Sequence, residues 1–232
     1  MSNIEFNEIR GQLALVTGAS GEIGAECAWR IAQKGVHLAL TYSSNKQKLV
    51  DLMTLRISNH QVDFAKQHAR PVDILVSKEG YGKMIQNILD ILQEELNRMI
   101  TINLTAGFLL AKGVFAGMQE QKWGRIVLVS SIAAYSAGLN GCHYAASKAG
   151  LIVVVKNLAS CEAQYTITIN DVAPAMVGSA GMLPDASGFP GLTQGIPLGR
   201  LCTLEEVANA VHMFVTTGFA MEQSLVVGSG LH

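Results

Sequence analysis

The sequence predicts an α/β fold: a doubly wound parallel sheet with helices on both faces. Three observations predict it. Short, β-branched apolar runs alternate with longer helical segments, the pattern of strand–helix–strand crossovers. The stretch "TGASGEIG", Thr17–Gly24, follows the apolar run Leu13–Val16 and opens a helix, so a glycine-rich turn joins strand to helix. No internal repeat, low-complexity tract or linker divides the 232 residues, which therefore read as a single domain over 1–232.

In chain order, strands are expected at Leu13–Thr17, Val36–Tyr42, Asp73–Val76, Arg125–Ser130, Thr166–Ala173 and Ser224–Val227. Helices are expected at Glu22–Lys34, Gln47–Ser58, Gln93–Gln119, Tyr144–Gln164 and Leu204–Thr216. The segment Met176–Pro197 is rich in Gly, Pro and Ser and lacks periodicity, so it reads as a loop beside the site, or a lid.

Composition narrows the function classes. Apolar residues make up 49% of the chain, enough for a sizeable core, and the formal charge of −1 provides no basic field for nucleic acid. Cys27, Cys142, Cys161 and Cys202 are scattered without a CxxC pair, which speaks for reduced thiols rather than a disulfide frame or a zinc site. The N-terminus has neither an apolar signal core nor an Arg-rich transit pattern. Apolar runs such as "INLTAGFLLA" stop short of the roughly 20 residues of a membrane span. A soluble, cytoplasmic protein is expected.

The strongest chemical signal is "HYAASKAGLIVVVKNLA". Tyr144 and Lys148 are four residues apart, so on a helix they share one face. An ammonium beside a phenol favours phenolate, which would lower the Tyr144 pKa from about 10 and suit it to acid/base work. Ser131 lies thirteen residues upstream, at the end of the strand "GRIVLVSS". Strand C-termini of a doubly wound sheet face the ligand crevice, so Ser131 and Tyr144 could meet at one carbonyl oxygen. Cys142 and His143 tempt a thiol–imidazole reading, but adjacent helix residues point apart. The apolar stripes in "LIVVVKNLA" and "GFLLAKGVF" read as core or subunit contact.

"TGASGEIG", "ITINLTAGFLLA", "GRIVLVSS", "YAASKAG" and "ITINDVAPAMVGS" stand in the order and spacing of the short-chain dehydrogenase/reductases. The chain resembles that family over nearly its whole length. With "IPLGRLCTLEEVANAVHMFV" it is most similar to the 3-oxoacyl-[acyl-carrier-protein] reductases and their fungal-type relatives. The resemblance implies a Rossmann-like fold and an oxidoreductase that reduces a ketone to a secondary alcohol. In it, Tyr144 protonates the substrate oxygen and Ser131 holds that oxygen, with Ser130 a less favoured neighbour for the role. Lys148 binds the nicotinamide ribose and lowers the Tyr144 pKa. Asn103 helps keep a proton-relay water. Gly18, Ser20, Gly21, Ile23 and Gly24 would cradle the pyrophosphate, Asp63 would contact adenine, and Val177 and Ser179 would meet the nicotinamide carboxamide. Family members are usually tetramers built through the long helices, here Gln93–Gln119 and Tyr144–Gln164. The implied substrate is a small-molecule or carrier-bound ketone, with no nucleic acid or membrane partner.

The end of the second strand points to one cofactor. An acid there would bind a ribose 2′-hydroxyl and suggest NAD. "LTYSSNKQK" has no acid, but Ser43, Ser44, Lys46 and Lys48 offer partners to a 2′-phosphate, so NADP(H) is expected.

Several positions depart from the family pattern. Glu22 replaces the middle glycine of TGxxxGxG, although Gly21 lets the same residues satisfy the TGxxGxxG of longer relatives. A carboxylate about 6 Å from a pyrophosphate costs about 1–3 kcal/mol. The family's NNAG is "SKEG" here, Ser77–Gly80, with Glu79 in place of a small alanine. Its PG is Pro174–Ala175, and its TGQ is Met221–Gln223. Between the third-strand candidate His60–Phe64 and the fourth, Val72–Val76, lie only the seven residues Ala65–Pro71, so the region between second and fourth strands is shortened. A crossover takes at least about 10–12 residues, so a helix is expected to be missing there, with the third strand displaced, the sheet edge frayed, or the sequence an imperfect gene model or spliced form. These departures keep a second reading open: a reductase-like chain with weakened cofactor binding, serving as an isomerase, a cyclase or an inactive partner subunit.

Overall fold

The computed structural model describes residues 6–42, 70–136, 139–180, 191 and 193–231. Six strands form one parallel sheet: β1 (Leu13–Val16), β2 (His37–Leu40), β3 (Ile74–Ser77), β4 (Gly124–Val129), β5 (Ile167–Pro174) and β6 (Ser224–Val227). Their order is β2-β1-β3-β4-β5-β6. Between them run α1 (Glu22–Ala32), α2 (Gln93–Ile100), α3 (Ala106–Gln121), α4 (Cys142–Glu162) and α5 (Leu204–Thr216).

Strand alternation divides the core into two layers. Val127 and Val129 of β4, with Ile74 and Val76 of β3, face α1 and α5. Ile126 and Leu128, with Leu75, Ile167 and Ile169, face Ala111, Val114 and Met118 of α3 and Leu151, Val155 and Ala159 of α4. Both faces are therefore covered, and the strands read as continuous apolar runs. This is the expected doubly wound, Rossmann-like architecture.

The first strand pairs with β2 on one side and β3 on the other, with Val16 opposite both Leu40 and Val76. Chain order thus reverses at β1 and opens a crevice at the C-terminal ends of β1 and β3. At the opposite end, the buried Arg125 guanidinium donates to the carbonyls of Gly124 and Phe6 and stacks over Trp123.

Element positions follow the expectation, with three differences. The long helix expected at Gln93–Gln119 is broken by a π turn over Thr101–Thr105, which adds a residue to one turn and re-aims Asn103 inward. Asp73 falls just before its strand rather than starting it, and its carboxylate accepts from the main-chain N–H of Leu13 at 2.7 Å and from Arg70 at 2.6 Å. The catalytic-helix candidate starts two residues early, at Cys142, and closes in a 3-10 turn over Ala163–Tyr165. The expected helix Gln47–Ser58 and the third-strand candidate His60–Phe64 lie outside the described residues, as does the shortened link up to Ala69.

Among the described residues, the stretch Gln93–Gln121 is long and apolar enough, by length and composition, to cross a membrane. Its Ala111, Val114 and Met118 pack on the sheet, as those of a core helix do.

The last helix is held by a capping box. The Thr203 hydroxyl accepts from the Glu206 N–H at 3.2 Å, and the Glu206 carboxylate accepts from the Thr203 N–H at 2.8 Å. Thr203→Ala is expected to lower stability by about 1 kcal/mol in urea unfolding, and Thr203→Ser to retain most of it.

Candidate active site

The crevice floor is the turn between β1 and α1. Gly18 adopts φ +61°, and a Cβ there would stand 2.7 Å from the Lys78 carbonyl oxygen. A Cβ on Gly24 would stand 2.4 Å from the Gly18 carbonyl oxygen. These approaches admit only glycine, and they fold the turn tightly beneath the start of α1. Gly21 caps that helix without a side chain, so the first-turn N–H groups lack a side-chain acceptor. Such a helix start is a ready anion site, and the turn fits a dinucleotide pyrophosphate by shape. Glu22 occupies the first helical position, as the sequence warned.

The β3 end forms the adjoining wall. The Lys78 N–H donates to the Thr17 hydroxyl at 3.2 Å, which locks "SKEG" to the glycine turn. Glu79 follows, and its carbonyl accepts from the Lys148 ammonium at 2.9 Å.

Tyr144 and Lys148 both lie in the first two turns of α4, and each is only 2% exposed. Lys148 also donates to the Val129 carbonyl at 3.0 Å, so its ammonium joins α4 to the ends of both β3 and β4. Burial pulls its pKa down to about 7; Lys78 adds to that pull, while Asp171 and Glu79 oppose it. Tyr144 differs from expectation. Burial raises its pKa, and the Ser131 hydroxyl opposes the rise. Desolvation outweighs the help the phenolate receives from its hydrogen-bond partner.

Ser131 stands at the C-terminal end of β4 and caps the short turn Ile132–Ala134 by accepting from the Ala133 N–H. Asn103 is buried in the π turn. Its amide accepts from the Tyr81 N–H at 2.7 Å and donates to the Tyr81 carbonyl at 2.9 Å and to Ser147 at 3.0 Å. The Ser147 hydroxyl donates to the Tyr144 carbonyl at 2.7 Å. The side chain of Asn103 therefore braces the Tyr144 turn instead of standing open to a water.

Val177 is buried in a short bridge to Cys202, and Ser179 takes φ +59° beyond it. With Glu26, Trp29 and Leu201, Ser179 lines a cavity of about 700 Å³. Neither Tyr144 nor Lys148 lines that cavity, so it lies beside the acid/base pair and does not enclose it. Ser20, Ile23 and Gly24 sit in the turn and first helical turn, as expected. Ser43, Ser44, Lys46, Lys48 and Asp63, and residues 181–190 and 192 of the loop Met176–Pro197, fall outside the described residues. Cys142 is exposed while His143 is buried, so the two do point apart.

Sequence reasoning missed Ser147, Tyr81 and Asp171. Asp171 is fully buried, accepts from the Ser130 N–H at 3.1 Å and from the Ser130 hydroxyl at 2.8 Å, and also takes a bond from Ser224. It clamps the residue before Ser131. A lone carboxylate inside the apolar strand "ITINDVAP" was the available signal.

A profile of the family described as short chain dehydrogenase matches residues 12–187. The 3-oxoacyl-[acyl-carrier-protein] reductase of Rickettsia bellii is 32% identical over 97% of this chain and 96% of its own. That of Escherichia coli is 32% identical over 96% of this chain and 95% of its own. Among solved structures, levodione reductase aligns with a TM-score of 0.87 at 20% identity, covering 96% of this chain and 98% of its own. The 3-oxoacyl-[acyl-carrier protein] reductase of Brucella melitensis aligns with a TM-score of 0.85 at 22% identity, covering 97% and 92%.

Two outcomes follow from this geometry. Between pH about 7 and 10.5 the unfolded chain holds the Lys148 proton more tightly than the folded one, so the Lys148 contribution to stability should rise with pH over that window. Lys148→Met removes that contribution, so its stability should rise less with pH than the wild type's, which denaturant unfolding at several pH values would measure. Asp171→Ala strands Ser130 and Ser224 and should cost about 1–3 kcal/mol in the same assay.

Proposed function

The chain belongs to the short-chain dehydrogenase family, and from that premise we propose that it is an NADPH-dependent reductase of a 3-oxoacyl or similar ketone. The observation that carries the reading is the buried Tyr144–Lys148 pair, set at the ends of β3 and β4 beside the glycine turn. The main-chain cradle of Gly18–Gly24 would hold the pyrophosphate, Lys148 and the Val177–Ser179 segment the nicotinamide end, and Ser43 with its neighbours the 2′-phosphate. Bound there, the dihydronicotinamide would supply the hydride equivalent.

The remaining chemistry belongs to the chain's own side chains. Ser131 orients the substrate carbonyl oxygen by hydrogen bonding. Tyr144 hands its phenolic proton to that oxygen. A raised phenol pKa suits this direction, because it keeps the proton on the phenol at neutral pH until the oxygen becomes strongly basic. Lys148 lies in the same pocket and eases the charge left on the phenolate. Asn103 positions the Tyr144 turn through Ser147. The proton-relay role implied by the resemblance falls to the same region.

The substrate class follows the relatives named as 3-oxoacyl-[acyl-carrier-protein] reductases, so a carrier-bound or thioester ketone is the first to try. A cytoplasmic, biosynthetic setting and a tetramer built through α2, α3 and α4 complete the reading. Phe108, Leu109 and Val153 present apolar surface on those helices. The non-redox alternative is set aside, because the acid/base pair is intact and the turn keeps its close approaches.

The test is consumption of NADPH by the purified chain with 3-oxoacyl thioesters. Turnover with NADPH above NADH is expected. Tyr144→Phe should lower kcat by about 10²–10⁴ while NADPH binding stays within threefold. No NADPH binding by the wild type, or unchanged turnover in Tyr144→Phe, would sink the proposal.

A further inference from the structure

Lys78 stands where the family pattern has an asparagine, and the reading above gives it no task. It is the first residue after β3, and its N–H is bonded to Thr17 in the turn. Parallel pairing of β1 with β3 therefore delivers its side chain onto the glycine turn. Its Cδ lies 3.6 Å from the point a Cβ on Gly18 would occupy, and its ammonium 3.7 Å from the equivalent point on Gly21. That ammonium makes no ion pair within contact distance among the described residues. It feels Glu22 and Glu79 as attractive charges at longer range, and burial disfavours its charged form. A cation so placed is incompletely solvated and incompletely paired.

We propose that Lys78 is a phosphate-binding residue of the dinucleotide site, supplying from the β3 side the positive charge that lets the turn accept a pyrophosphate in the presence of Glu22. The proposal rests on the reductase reading and deepens it. A pyrophosphate laid on the first-turn N–H groups of α1 meets repulsion from Glu22 on the helix and attraction from Lys78 across the turn. The ligand also gives the ammonium the close anion it lacks. Glu22 and Lys78 thus act as a matched set. Glu22 moderates the ammonium while the site is free, and Lys78 offsets Glu22 when phosphate is bound. Lys148 carries the second cation of the crevice, at its nicotinamide end, and the repulsion between the two lysines in the free chain is relieved as anionic ligand enters.

Equilibrium titration of the full chain tests this, with NADPH and with inorganic pyrophosphate as probes. Lys78→Met should weaken both by about tenfold or more and flatten the salt dependence of NADPH binding. Lys78→Arg should stay within threefold of wild type, and Glu22→Gln should tighten both ligands severalfold. Should Lys78→Met prove misfolded by circular dichroism, Lys78→Gln takes its place. Wild-type affinity in the folded Met or Gln variant overturns the inference alone, and tighter binding there shows Lys78 to be a plug and also overturns it. Glu22→Gln without effect removes the matched set and overturns it as well. A wild type that binds no NADPH overturns the reductase reading itself, and the inference with it.

Discussion

A buried ammonium must find oxygen acceptors, and Lys148 finds them in the carbonyls of Val129 and Glu79. That requirement organises the crevice. One acceptor belongs to the end of β4, where Ser131 begins two residues later. The other belongs to the wall after β3, which is bonded to the glycine turn through Lys78 and Thr17. The donor rides on α4 one turn beyond Tyr144. Three elements that meet nowhere else in sequence are thus held together at the point where strand order reverses.

The same arrangement sets the acid/base chemistry. A lysine stripped of water loses much of its hold on its proton, even though the two carbonyls favour its charged form. The phenol responds to burial first. The phenol is therefore poised in its neutral form, which suits proton donation to a developing alkoxide. Around it lie braces with no reactive task. Asn103 ties Tyr81 to Ser147, and Asp171 clamps Ser130 from below. Each spends a buried polar group on fixing a neighbour of a reactive one.

Three of the departures from the family pattern line one crevice. Glu22, Lys78 and Glu79 exchange small or neutral residues for charges of both signs within one crevice. Shape is retained, since Gly18 and Gly24 keep approaches that no side chain permits. What has changed is the charge that lines the crevice.

The strands, the glycine turn and the Tyr144–Lys148 spacing were legible in the sequence, because each is a local pattern: apolar runs, backbone freedom at glycine, and helical periodicity. The Cys142–His143 pair was correctly discounted on the same periodicity. The π turn at Thr101–Thr105 was not legible, because inserting one residue into a helix leaves no mark in an apolar stretch. The partners of Asn103, Lys148 and Asp171 were not legible either. They are carbonyls, hydroxyls and amides drawn from distant strands, and every residue carries a carbonyl. The sequence by itself determined which groups are present and which faces they share. Only the tertiary structure decided that Lys148 would be desolvated against Val129 and Glu79, and that Lys78 would lie over Gly21, because solvent exclusion and charge balance belong to the assembled crevice and to no segment of the chain.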